Sequence, residues 1–269
     1  MESNRRRFLK IAGASALGIG VKPLVNALAR EDTPRVSANP EALVGRRWAM
    51  VVDMRNGCPD DCRECMEACH EIHNVPRMEN QKDEVKWIWT ESYGHAFPGE
   101  ENKYLEDYIE EGLHGRPVIV LCNHCDNPPC VRVCPTKATF RREQDGIVMM
   151  DYHRCIGCRF CMAACPFGSR SMNWRDPRPF IREINPEFPT RTRGVVEKCN
   201  FCVERLAKGQ IPACVEACRE ASRKAGEDPV LIFGDMEDPN SEVRGLVQSQ
   251  HTIRRKAHLG TMPQVFYIL

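Results

Sequence analysis

Beyond its first thirty residues the chain has no apolar run approaching the ~20 residues a membrane-spanning helix needs, so the mature protein is expected to be soluble or peripheral. Charge of one sign is also missing, with 38 Lys and Arg against 37 Asp and Glu. Residues 1–29 hold five of the basic residues and one acid, so 33 basic and 36 acidic residues remain after them. That balance gives no positive field to draw nucleic acid. The only glycine-rich stretch, Gly13 to Gly20, lies in the N-terminal segment, so there is no nicotinamide or flavin fingerprint. The haem-attachment pattern C-x-x-C-H is absent too, because Cys65-Met-Glu-Ala-Cys69-His70 is one residue too long. His70, His73 and His124 therefore read as surface or packing residues. With no substrate constellation, neither a catalytic residue nor a small-molecule substrate is expected.

The N-terminus opens with Arg5-Arg6-Arg7-Phe8-Leu9-Lys10, continues as an apolar run of about 11 residues from Ile11 containing three glycines, and reaches Ala27-Leu28-Ala29. A basic start, a short apolar centre and small residues at a cleavage position read as a targeting segment. The arginine pair before x-Phe-Leu-Lys resembles the twin-arginine signal, whose pathway exports folded proteins. A periplasmic location, or the outer face of the cytoplasmic membrane, is expected.

What the chain has in abundance is cysteine, 16 residues in four groups. Group one is Cys58, Cys62, Cys65 and Cys69, and group two is Cys122, Cys125, Cys130 and Cys134. Group three is Cys155, Cys158, Cys161 and Cys165, and group four is Cys199, Cys202, Cys214 and Cys218. Disulfides would account for the even count but not for cysteines three residues apart, which are poorly placed to bridge one another. Paired Cys-x-x-Cys units also build zinc sites. Group three separates the two metals, since Cys155-Ile-Gly-Cys158-Arg-Phe-Cys161-Met-Ala-Ala-Cys165-Pro166 follows the bacterial ferredoxin run C-x₂-C-x₂-C-x₃-C-P. In that run the first three thiolates wrap one cubane cluster and the fourth ligates another, which a mononuclear zinc site cannot use.

The groups repeat. Val51-Val52-Asp53-Met54-Arg55 precedes group one much as Met149-Met150-Asp151-Tyr152-His153-Arg154 precedes group three. Cys122-Asn-His-Cys125 matches Cys199-Asn-Phe-Cys202, and the later halves of groups two and four are also alike. The order is thus A-B-A-B. Short β-rich runs at Pro117–Leu121, Gly146–Met150 and Val195–Val196 predict strands before the motifs. The expected fold class is α+β, with two bacterial-ferredoxin-like domains, each a ββα-type duplication, nested in one chain with loop-rich insertions. Residues 1–29 form the signal, 30–115 the first half of the outer domain with an insertion at 77–115, 116–194 the inner two-cluster domain, and 195–269 the outer domain's second half.

These motifs, the eleven-residue gap between Cys202 and Cys214, and the ending Ile232-Phe-Gly-Asp-Met-Glu-Asp-Pro-Asn-Ser-Glu-Val243 resemble the iron–sulfur subunits of the DMSO-reductase and polysulfide-reductase type. Asn173 through Phe180 and Gly194 through Cys199, with the signal, more narrowly resemble the DsrO type, periplasmic ferredoxin-like subunits of a membrane complex in dissimilatory sulfur metabolism. The resemblance implies an electron-transfer subunit with four [4Fe–4S] clusters. The implied sets are Cys122, Cys125, Cys130 with Cys165; Cys155, Cys158, Cys161 with Cys134; Cys199, Cys202, Cys214 with Cys69; and Cys58, Cys62, Cys65 with Cys218. The last set departs from the pattern, with three residues between Cys58 and Cys62 where two are usual, which leaves room for a three-iron cluster. The implied partners are a quinone-interacting polytopic membrane subunit and, for the DsrO type, a multihaem cytochrome c. The rival readings are an iron–sulfur subunit of a molybdopterin oxidoreductase acting on tetrathionate, polysulfide or nitrite, and a metal-stapled scaffold.

The remaining segments carry no cysteine. Residues 77–115, with Trp87, Trp89, Tyr93, Tyr104, Tyr108 and a short acidic helix in Glu100–Glu111, read as a surface insertion packed by its own aromatics. Residues 166–198 read as an extended loop over the clusters. Asp238-Pro239 reads as an N-cap and first turn opening a helix to about Gln250. Pro263–Ile268 reads as a final strand or strap, and residues 251–269, like 77–115, read as dispensable for iron and free to clasp a partner. Arg63, Arg132, Arg159 and Lys198 lie near cysteines and could raise cluster potentials, although solvated side chains account for any one of them.

Overall fold

Trp48–Asp53 is apolar at every position but the last and forms β1 in the computed structural model, which describes residues 39–55, 58, 62–98 and 117–269. The chain divides after Pro40, and the unit from Glu41 to Leu269 holds every described helix and strand. After β1 come α1 (Glu64–Ile72), β2 (Ile88–Glu91), the single turn α2 (Tyr93–Ala96) and β3 (Val118–Leu121). Then follow α3 (Pro129–Arg132), β4 (Thr139–Arg141), β5 (Val148–Met150), α4 (Phe160–Ala164), β6 (Ser171–Met172) and β7 (Val196–Glu197). The last part contains α5 (Val203–Leu206), α6 (Ala213–Ala225), β8 (Leu231–Asp235), α7 (Glu242–Ser249), β9 (Thr252–Ile253) and β10 (Val265–Ile268). The fold is mixed α/β. The three strands expected before the motifs appear as β3, β5 and β7. Residues 1–29 and Glu100–Glu111, with Tyr104 and Tyr108, lie outside the described residues.

One sheet has the order β8-β1-β10-β9, with β1 parallel to β10 and antiparallel to β8. Alternation along its strands sorts side chains between two cores. Met50, Val52, Val265 and Tyr267 enter the large core that also holds Cys65, Cys69, Cys199, Cys214 and Cys218. Ala49, Val51, Ile232, Phe266 and Ile268 enter a smaller core closed by Val243 of α7. Both faces of β1 and β10 are covered, which is why these strands read as unbroken apolar runs. Beneath the large core α1 and α6 pack together. Gly226 closes α6 at φ 74°, a left-handed cap that a residue without Cβ adopts at no steric cost. The hairpins β2–β3, β4–β5 and β6–β7 complete the strand pairing, and α3 packs against α4.

The connection from Pro166 to Lys198 is extended, as its prolines suggest, and one buried ion pair holds it down. Arg191 and Glu197, both fully buried, bond to each other. Glu197 also accepts from Trp87 Nε1 at 3.0 Å, and Arg191 donates to the carbonyls of His73 at 2.6 Å and Asn74 at 2.9 Å. Burying two charges is costly unless most of their remaining donors and acceptors are also matched; with Asn173 donating to Glu197 and the Pro189 carbonyl accepting from Arg191, five partners share the load.

Three expectations need correction. The described part of 77–115 is not a surface insertion. Trp87, Trp89, Tyr93 and Phe97 are buried in the large core, β2 pairs with β3, and Trp87 stacks on His73 at 4.4 Å. The helix expected from Pro239 starts at Glu242 after Ser241. Asp238 instead forms a turn, accepting from the Asn240 N–H at its side chain (2.9 Å) and from the Ser241 N–H at its carbonyl (3.1 Å), a local bonding pattern that competes with helix. Finally, the C-terminal segment is no dispensable strap, because β10 lies inside the sheet with all four residues buried. Each such side chain stabilises by about 1.5–3 kcal/mol, against a typical total of about 5–15 kcal/mol. A chain ending at Gln264 should therefore lose soluble, cluster-loaded protein altogether. Circular dichroism and iron analysis check this, and full iron content in the truncated protein would contradict it.

Candidate metal centres

Three of the Cys-x-x-Cys loops turn through a left-handed residue just before their second cysteine, at His124 (φ 41°), Gly157 (φ 66°) and Phe201 (φ 56°). Such a residue aims successive backbone N–H groups into one concavity, a shape that suits anions. The Phe201 N–H accordingly lies 3.4 Å from Cys199 Sγ, and the Leu231 N–H 3.4 Å from Cys218 Sγ. At Gly157 no side chain fits, since a Cβ there would lie 2.4 Å from the Gly194 carbonyl oxygen.

All sixteen cysteines are free thiols, and they gather across long stretches of sequence. Cys58 and Cys65 lie within electrostatic reach of Cys62 and Cys218. Cys69 neighbours Cys214, Cys202 and Cys199. Cys125 neighbours Cys122, Cys130 and Cys165. Cys134, Cys155, Cys158 and Cys161 line one cavity walled by Met150, Ile156 and Val196. Each gathering is thus three thiols from one segment and one from a distant segment. The gatherings also follow one another in series, with Cys161 within electrostatic reach of Cys130, Cys199 of Cys122, and Cys214 of Cys65.

Burial pushes these thiols up, to about 12 at Cys58, Cys125 and Cys199 and well above the ordinary value at Cys69, Cys202 and Cys214. Cys134 differs. Burial acts upward there too, but hydrogen bonds from the Thr139, Ala138 and Thr136 N–H groups and the Thr136 hydroxyl outweigh it and hold the thiol below the ordinary value. Thiols packed in fours where water cannot solvate a thiolate need a positively charged partner to deprotonate them. N–H groups already directed at sulfur favour the charged form once that partner is present. The donor sets therefore fit polynuclear iron–sulfur clusters, which thiolates hold.

Where the two similar loops meet, His124 and Phe201 stack face to face at 3.7 Å. His124 Nδ1 accepts the Val148 N–H at 3.1 Å, and burial, with Lys198, Arg47 and Arg170 nearby, keeps the ring's pKa well below its ordinary value. His73 likewise packs. Its Nδ1 meets the Cys69 carbonyl at 2.8 Å and its Nε2 meets Glu204 Oε1 at 2.7 Å. It sits beside Cys202 and Glu204 in a group that could hold a metal ion, but both ring nitrogens are already engaged. Of the cations singled out in the sequence, Arg63, Arg132 and Arg159 are exposed and Lys198 is buried. Lys198 Nζ donates to the Val148 and Cys199 carbonyls.

Sequence reasoning missed Arg170, which is buried with Nη2 3.0 Å from Cys130 Sγ, and Arg47, which pairs with Asp126 at 2.7 Å. A signal for Arg170 was present. Between Asp151 and Asp176 there is no carboxylate, while Arg154, Arg159, Arg170 and Arg175 fall in that interval. Among the described residues no helix is long and apolar enough to cross a membrane.

Residues 118–178 and 185–228 match the family described as "4Fe-4S dicluster domain". The chain is 40% identical to the Hdr-like menaquinol oxidoreductase iron-sulfur subunit 1 of Archaeoglobus fulgidus, over 98% of this chain and 97% of the relative. It is 35% identical to the iron-sulfur cluster-binding subunit of menaquinone reductase of Nitratidesulfovibrio vulgaris, over 82% and 88%. It is 34% identical to one of the tetrathionate reductase subunits of Salmonella typhimurium, over 100% and 89%. With four thiol gatherings in the fold and relatives of this identity along nearly the whole chain, the protein belongs to the family of ferredoxin-type iron–sulfur subunits of menaquinol- and tetrathionate-type oxidoreductases.

Proposed function

We propose that this protein is a non-catalytic relay that carries single electrons along a row of four [4Fe–4S] clusters, between a quinone-interacting membrane subunit and a second redox partner outside the cytoplasm. The clusters supply one-electron chemistry that makes and breaks no bond with a substrate. The protein's own residues bind them, exclude water and fix their order. Cys155, Cys158, Cys161 and Cys134 hold one end of the row. Next come Cys122, Cys125, Cys130 and Cys165, then Cys199, Cys202, Cys214 and Cys69, with Cys58, Cys62, Cys65 and Cys218 at the other end. The carrying observation is that the thiol gatherings lie within electrostatic reach of one another in series, through Cys161–Cys130, Cys122–Cys199 and Cys214–Cys65. A relay needs short steps between buried centres, and a metal-stapled scaffold has no need of such a row.

In this reading the two middle motifs form an inner ferredoxin-like domain, and the first and last motifs form an outer one drawn from both ends of the chain. The packing of α1 on α6 and the pairing of β1 with β8 support that nesting. Export as a folded protein through the twin-arginine pathway accounts for Arg5 and Arg6. The menaquinol oxidoreductase relative supports a quinol-linked complex, and the DsrO-like segments add sulfur metabolism and a multihaem cytochrome c as the finer reading. The full-length match to the tetrathionate reductase relative favours one alternative, the iron–sulfur subunit of a molybdopterin oxidoreductase.

Three measurements test the proposal. Protein isolated without oxygen should contain about sixteen irons with equal sulfide, four per cluster, whereas zinc or about eight irons would contradict it. Cys134→Ala should damage the cluster held by Cys155, Cys158 and Cys161, seen in EPR as a lost signal or a three-iron species. Loss of the Cys122 cluster instead would break the assigned sharing. Changing Arg5 and Arg6 together to Lys should leave cluster-loaded precursor in the cytoplasm, and undiminished periplasmic protein would remove the twin-arginine assignment.

A further inference from the structure

Four arginines are buried among the described residues, Arg47, Arg170, Arg191 and Arg255. Three have carboxylate partners, with Arg47 on Asp126, Arg191 on Glu197 and Arg255 on Glu91. Arg170 has no carboxylate within ion-pair distance among the described residues. It is 4% exposed, its Nη2 donates to Thr139 Oγ1 at 2.7 Å, and the same nitrogen lies 3.0 Å from Cys130 Sγ. A buried guanidinium without a counter-charge is strongly destabilising, so an anion must face it in the working protein. The groups that do so are the sulfurs of Cys130, Cys161, Cys122 and Cys165. They belong to two adjacent gatherings, with Arg170 at the seam between them.

The surrounding contacts hold the guanidinium in this place. Thr139 donates its hydroxyl to the Met149 carbonyl at 3.0 Å, which leaves its oxygen lone pairs for Arg170. Ser169, the preceding residue, anchors its hydroxyl on the Leu121 carbonyl at 3.1 Å. Lys198, the buried lysine nearby, donates to carbonyl oxygens rather than to sulfur. An N–H to thiolate bond, added to a full positive charge in a dry interior, favours whichever redox state carries more negative charge. Adding one electron to a cluster adds one negative charge, and no proton has to move, because the guanidinium stays protonated throughout.

We propose that Arg170 is a potential-setting residue, whose charge raises the reduction potentials of the two inner-domain clusters, most of all the one held by Cys130. This rests on the cluster assignment above. Along the row, Arg170 would then make the Cys122–Cys130 position an easier place for an electron to reside than it would be without it.

The test is an EPR-monitored reductive titration with dithionite of the whole cluster-loaded protein and of its Arg170→Met, Arg170→Lys and Thr139→Val variants, after iron analysis. Arg170→Met should make reduction of one cluster at least tenfold less favourable, a midpoint lower by about 59 mV or more for one electron. A second signal should move less and the other two should stay in place. Arg170→Lys, which keeps the charge, should restore most of the shift. Thr139→Val, which frees the guanidinium from its acceptor and gives up the hydroxyl's bond to the Met149 carbonyl, should lower the same midpoint by a smaller amount and keep the iron. Midpoints unchanged in Arg170→Met, or equally lowered by Met and Lys, would overturn the proposal. If Arg170→Met does not assemble, an unmoved midpoint in both Arg170→Lys and Thr139→Val would overturn it. Wild-type protein without four iron clusters would instead overturn the relay reading, so the two failures can be told apart.

Discussion

Packing thiols in fours inside a dry core is the constraint on which the rest of this protein depends. Cys69, Cys199 and Cys214 sit among Met50, Trp87, Leu231 and Tyr267 in one apolar core, where burial keeps a thiol protonated. They can act as ligands only with positive charge among them and N–H donors behind them. The left-handed turns at His124, Gly157 and Phe201 supply the donors. The core is thus shared between packing and ligation, and its stability is expected to be inseparable from the iron it holds.

The same constraint explains why both ends of the chain come together. A gathering needs a fourth thiol that its own motif cannot reach, so Cys69 joins group four and Cys218 joins group one. α1 and α6 must then pack, and β1 must lie between β8 and β10. The cysteine-free segments that read as accessories close this assembly. β10 completes the sheet, β2 pairs with β3, and Trp87 covers His73 and bonds Glu197. Where the two halves meet, the repeated C-N-x-C loops stack His124 on Phe201, putting the sequence repeat face to face in space.

Much of this was legible along the chain. The C-x₂-C spacing dictates a short turn and the Cys-Pro ending marks a shared ligand, so the motifs, the repeat and the strands preceding them could be read without a structure. Burial of 85–97 could not. Its aromatics lie among charges, and a run of that kind looks the same on a surface as under a loop until the loop from Pro166 to Lys198 is folded over it. The C-terminal run was read as a strand but valued wrongly, because an apolar strand at a chain end gives no sign of whether it edges a sheet or fills its interior.

The sequence by itself determined the cysteine motifs, the repeat and the class of chemistry, because these depend on residue type and on spacings shorter than a turn or two. Only the tertiary structure decided which buried cation faces which sulfur and in what order the thiol gatherings follow one another. Arg170 lies 40 positions from Cys130 and 3.0 Å from its sulfur. Contacts of that range follow from how loops close over a core; the carboxylate-free interval around Arg170 marks an unpaired cation in the chain but not the sulfur it meets.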